Sequence, residues 1–136
     1  MIDIKFIENM AKIHAYLNFN GNCEQAFTFY EKVFKSPNVG MHRFGDMPAD
    51  PNFPMSDEDK QKIMHTAIMI NENTMVMGSD CLENFGHKLT LGNSTYVMLD
   101  TDTPQEAKDL YTALSKNALN IEMELSEQFW AELYAS

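Results

Sequence analysis

The sequence predicts an α+β fold built from a duplicated unit, and three observations carry that prediction. Residues 12–20 alternate apolar and polar side chains, the period of a strand with one face on a core. A polar cap and a helix-spaced apolar stripe follow directly. The same order of alternating strand, cap, helix and alternating strand then returns in the last third of the chain.

In the first strand Ile13, Ala15, Leu17 and Phe19 share one face, and His14, Tyr16, Asn18 and Asn20 the other. Gly21 ends it, and Asn22 with Gln25 three residues on reads as a capping box opening a helix over about residues 23–35. Ala26, Phe27, Tyr30, Val33 and Phe34 form the apolar stripe of that helix, which must pack on a sheet. Residues 39–44 read as a strand, and residues 45–57, with Pro48, Pro51 and Pro54, as a loop. Ser56 caps a short polar helix to about Lys62. Residues 64–70 and 74–79 are apolar runs joined by Asn71-Glu72-Asn73, a hairpin by length and turn chemistry.

Residues 81–93 form a polar connection, after which the order repeats. Residues 94–99 read as a strand. Thr103-Pro104-Gln105-Glu106 places Pro at the first helical position and Glu at the third, the better of the two caps, and opens a helix to about Lys116. Leu119, Ile121, Met123 and Leu125 then alternate with Asn120, Glu122, Glu124 and Ser126 as another half-buried strand.

The 136 residues suit one domain, or two small half-domains with a common core, and 44% apolar residues argue against disorder. Twenty acidic residues against ten basic give a net charge of -10, which repels a polyanion and disfavours nucleic acid as a partner. No apolar run has the length of a membrane span, and residues 1–8 lack the pattern of a signal peptide, so a cytoplasmic protein without membrane attachment is expected. Cys23 and Cys81 have no CxxC spacing and read as reduced packing residues.

The run from Tyr16 to Phe34, YLNFNGNCEQAFTFYEKVF, closely resembles the PhnB-like branch of the glyoxalase/bleomycin resistance, or vicinal oxygen chelate, superfamily. Further matches follow in order at Arg43-Phe44-Gly45-Asp46-Met47-Pro48, Lys62-Ile63-Met64-His65, Met77-Gly78-Ser79-Asp80 and Phe129-Trp130. The resemblance implies paired βαβββ modules whose curved antiparallel sheets enclose a cavity, and a homodimer. Residues 1–136 would then be one glyoxalase-like domain, with module one at about 12–81 and module two at about 91–136. Members usually continue past the Phe-Trp pair into a final strand of the type G-[IV]-x-W-[MI]-x-N, which this chain lacks after Ser136. Residues 3–9 alternate and resemble that strand. A circular permutation, with residues 2–8 filling the slot left in module two, is therefore expected, because an empty interior slot leaves two rows of backbone groups unpaired. A truncated chain with a disordered N-terminal tail is the competing reading, and a partner chain could also supply the strand.

Metal-using members of the superfamily place one His or Glu on each of four equivalent strands, since a divalent ion needs several convergent N or O donors. His14 resembles the first of these ligands. The other positions fall near Met77, Tyr96 and Ile7, none of them suited to such an ion, so no metal site and no cofactor are assigned.

His14 reads either as a pocket-facing hydrogen-bonding or acid/base group, and the best catalytic candidate, or as an ordinary histidine. His65 and Glu124 could converge with it, whereas His42 and His87 belong to no visible constellation. Arg43 is either a partner for an anionic ligand or a solvated strand cation. Ser79 and Asp80 are either turn formers or groups at a pocket mouth. Tyr16, Met77 and Trp130 complete the expected ligand-binding set, with methionines filling core gaps or lining an adaptable pocket. No nucleophile elbow, phosphate loop or dinucleotide fingerprint occurs, and although some family members carry a demethylubiquinone methyltransferase name, no cofactor-binding pattern supports methyl transfer. Two functions follow: a small-molecule-binding protein without metal, or a metal-dependent lyase, isomerase or dioxygenase-like enzyme using His14 with nonstandard ligands.

Overall fold

The computed structural model describes residues 11–136, so the expected strand at residues 2–8, and Ile7 with it, lies outside the described residues. The chain divides between Gly92 and Asn93 into two units, each treated by itself.

In the first unit the expected alternation becomes β1 (Ala15–Phe19), followed by helix α1 (Cys23–Phe34), β2 (Asn38–Arg43), the short helix α2 (Asp57–Gln61), β3 (Ile63–Asn71) and β4 (Thr74–Asp80). The sheet order is β1-β4-β3-β2. β2 pairs with β3 and β3 with β4 in antiparallel fashion, but β1 runs parallel to β4, so the sheet is mixed rather than antiparallel throughout. The cause is the connection. α1 carries the chain from β1 to the opposite edge, and the two antiparallel steps back bring β4 beside β1 pointing the same way.

One face of this sheet packs on α1. Phe27 and Cys23 are fully buried against Ile63, Ile68 and Val76, with Leu17, Phe19 and Tyr30 at the margin. Burial of each large apolar side chain stabilises by about 1.5–3 kcal/mol, so these residues hold the unit together. Gly78 lets helix and sheet approach: a Cβ there would lie 2.5 Å from the Phe27 ring.

The expected capping box at Asn22 does not form, since the Asn22 side chain makes no cap hydrogen bond. The last residue of β4 takes its place. The buried Asp80 carboxylate accepts from the Gly21 amide (2.9 Å) and the Cys23 amide (3.0 Å), and its other oxygen accepts from the Ile63 amide (2.8 Å). A charged acceptor satisfies the orphan amide of the first helical residue, Cys23, more strongly than a neutral amide oxygen, and it ties the β1–α1 turn to the start of β3. Gly21, at φ +91°, makes the turn that presents these donors. α2 is capped as expected, with Ser56 Oγ accepting from the Asp59 amide at 3.0 Å.

In the second unit the Thr103 cap forms, its hydroxyl accepting from the Glu106 amide at 3.2 Å, and α3 runs Pro104–Ser115. The strands expected at residues 94–99 and 119–125 are not formed among the described residues. Residues 91–100 are exposed throughout, and residues 122–136 fold back irregularly, with one antiparallel bridge between Ser126 and Tyr134 and with the Glu122 and Met123 amides donating to the Ser136 carbonyl. Alternation states which face of a strand would be buried. It does not supply the neighbouring backbone that a ladder requires. The described residues thus contain one four-stranded sheet where the repeated order predicts two.

Candidate functional site

Strand register sorts the candidate residues, because directly opposed residues share a face and successive residues alternate. Leu17 opposes Gly78 and Thr66 opposes Gly78 on the face covered by α1. Tyr16 opposes Met77, Met77 opposes Ala67, and Asn18 opposes Ser79 on the other face, which α1 does not cover. His65 lies on this open face too, and its ring meets that of Tyr16 with centroids 5.8 Å apart. The Tyr16 hydroxyl stands 3.4 Å from His65 Nδ1, and Ser79 Oγ stands 3.5 Å from Asn18 Oδ1, both long contacts on an exposed surface. Met75 and Met69, directly opposed, extend the face with two thioethers. Tyr16, His65, Met77 and Ser79 are therefore brought together, four of the eight residues the sequence singles out.

His14 precedes β1 in the same alternation as Tyr16, but its Nδ1 accepts the Met75 backbone amide at 3.0 Å, which fixes its ring at the sheet edge. Arg43 and Asp80 lie on the opposite side. Arg43 is held by Glu24 of α1 through two hydrogen bonds, 2.7 and 2.9 Å, and donates to the Gln61 carbonyl at 2.6 Å. The hydrogen bond with Arg43 lowers the Glu24 carboxyl from its ordinary range, and the same contact raises the guanidinium. With all these donors engaged, Arg43 is spoken for by its own chain. Asp80 serves the three amides described above. Trp130 lies in the second unit, edge-on to Phe129 at 4.7 Å and to Tyr134 at 5.9 Å. Glu124 is also in the second unit, where it accepts from the Tyr111 hydroxyl.

The ligand set that the superfamily's metal would need does not fit these residues. His14 has one nitrogen committed to Met75, Met77 offers a thioether that a hard divalent ion disfavours, and the Tyr96 hydroxyl in the second unit donates to Glu122 at 2.6 Å. Among the described residues no group of three or more His, Cys, Asp or Glu side chains converges as metal ligands do. Cys23 is a packing residue: burial first, then the neighbouring Asp80 and Glu24 carboxylates, push its thiol up to about 12, far from reactive thiolate.

One residue on the open face escapes sequence reasoning. His42 directly opposes His65 across β2 and β3. Twenty-three positions separate the two in the chain, and the long connection between their strands, α2 included, sets no register that spacing could reveal.

The chain matches the family model "3-demethylubiquinone-9 3-methyltransferase" over residues 11–131. It is 26% identical over 120 residues to the protein YjdN of Escherichia coli strain K12, covering 85% of this chain and 80% of that protein. Among solved structures it is similar to the crystal structure of protein PA1353 from Pseudomonas aeruginosa, with a TM-score of 0.78 and 29% identity over 93% of this chain and 87% of that one.

Proposed function

The chain belongs to the 3-demethylubiquinone-9 3-methyltransferase family, in the glyoxalase/bleomycin resistance superfamily, and from that premise we propose that it binds a small, partly apolar molecule on the open face of the β1–β4 sheet. The observation supporting this most directly is the shared face of Tyr16, His65, Met77 and Ser79. An aromatic ring and flexible thioethers give adaptable apolar contact, while the imidazole and two hydroxyls orient polar groups, the usual division of labour in a small-molecule site. The motif run from Tyr16 to Phe34 supports the finer placement in the PhnB-like branch. The family name describes methyl transfer, a step that the sequence of this chain, with no cofactor fingerprint, does not support.

Ligand-observed NMR with a fragment set tests the reading. Tyr16→Ala and Met77→Glu are expected to abolish binding of the hits while circular dichroism shows the fold retained; hits that survive both substitutions contradict it.

The homodimer and the relocated strand belong to the same proposal. Light scattering at twice the monomer mass supports the first, and a monomer contradicts it. Deleting residues 2–8 is expected to lower the midpoint of urea unfolding, and an unchanged midpoint contradicts the second.

A further inference from the structure

We propose that His42 and His65 form a surface site for one borderline divalent cation, of the kind that imidazole binds well: Ni²⁺, Cu²⁺ or Zn²⁺. The two residues are register partners on the antiparallel pair β2 and β3. Directly opposed side chains on such a pair have Cβ atoms roughly 5 Å apart and project from the same face. That separation allows one ring nitrogen from each to reach a common ion at about 2.0–2.1 Å. It is a different site from the one the superfamily uses, which draws on the His14 and Met77 positions.

Both rings have a nitrogen to give. The Tyr16 hydroxyl stands 3.4 Å from His65 Nδ1, on the side of the ring away from Nε2, and the two rings lie side by side, which leaves Nε2 open. His42 is exposed, makes no hydrogen bond to another described side chain, and lies folded along its own strand with Nε2 3.7 Å from the point where a Cβ on Gly40 would stand. An exposed side chain turns between rotamers in picoseconds to nanoseconds, so closing on a common ion requires only rotation of His42. Register shifts flank the pair, between Asn38 and Gly40 and between His42 and Arg43. Bulges of this kind re-aim side chains and recur beside functional sites.

The donor chemistry selects the ion. Two neutral imidazoles and no carboxylate suit Ni²⁺, Cu²⁺ and Zn²⁺ and disfavour Ca²⁺ and Mg²⁺, which demand oxygen. Two protein ligands leave the remaining positions to water or to donors of a bound molecule, so the site is labile rather than structural.

The test uses the full chain without any polyhistidine tag, titrated at neutral pH with NiCl₂ and read by calorimetry and by the histidine ring resonances. One equivalent is expected, broadening the ring signals of His42 and His65 first. His42→Ala and His65→Ala are each expected to lose that equivalent. Tyr16→Phe is expected to weaken it by roughly tenfold, the usual effect of removing a group that orients a ligating histidine. His87→Ala is expected to leave it unchanged. Absence of binding, an equivalent that survives either His42→Ala or His65→Ala, or its loss on His87→Ala overturns the proposal. The readout is direct metal binding, so failure of the small-molecule proposal leaves this result interpretable, and the reverse holds as well.

Discussion

Helices α1 and α3 start from nearly the same instructions: an alternating segment, a polar cap, twelve helical residues with one apolar stripe. Their fates differ. α1 buries Cys23 and Phe27 completely against a sheet, and the amide of its first residue, together with that of Gly21 in the preceding turn, is held by Asp80 from a distant strand. α3 is capped by its own Thr103 and has no fully buried residue. Local sequence decides that a helix forms and where it begins. Whether it becomes the cover of a core depends on partners far along the chain, here the β3–β4 hairpin.

Substitutions that separate local from distant support break or sharpen this contrast. Phe27→Ala removes the ring at the centre of the first unit and is expected to cost about 3–5 kcal/mol in urea unfolding, a large share of a typical domain's stability. Leu110→Ala on the partly buried stripe of α3 is expected to cost only about 1 kcal/mol. Equal costs would erase the distinction. Asp80→Ala strips the buried Cys23 and Ile63 amides and the part-buried Gly21 amide of their acceptor; at about 1–3 kcal/mol for each buried amide, its cost is expected to be of the same order as that of Phe27→Ala, read in the same unfolding experiment. Thr103→Ala, a purely local cap, is expected to cost about 1 kcal/mol and to leave the first unit's amide exchange untouched.

The smallest effect belongs to Arg43 and Glu24. Their side chains are 33% and 51% exposed, so solvent screens the pair and Arg43→Ala is expected to cost at most about 1 kcal/mol. Glu24 is lowered below its ordinary value of 4.5 in the folded chain. The pair's contribution is therefore complete above that value and disappears as the pH falls through the lower, folded one. A pH titration of stability in wild type and Arg43→Ala checks the direction: the two curves should converge on the acid side.

The first unit was largely legible because its signals are local: alternation in β1, the stripe of α1, the Ser56 cap, and the hairpin turn at residues 71–73. Two of its features were not. Nothing near Asn22 reveals that Asp80, fifty-eight positions on, displaces the expected cap, since that substitution depends on β4 ending beside α1. The same limit applies to the site. Alternation places Tyr16 on a polar-lined face, but only the β2–β3 register shows that Arg43 turns toward α1 while His42 stands opposite His65. In the second unit the alternation at residues 94–99 and 119–125 predicts strands, yet alternation describes a side-chain pattern and a strand requires a backbone neighbour.

The most direct test of the central claim is an amide chemical-shift map recorded while a fragment hit is titrated into the ¹⁵N-labelled protein. The account predicts the largest changes at Tyr16, Asn18, His65, Ala67, Met77 and Ser79, the residues of the open face. Changes centred instead on the Glu24–Arg43 ion pair, or on residues 96–136 of the second unit, would contradict it.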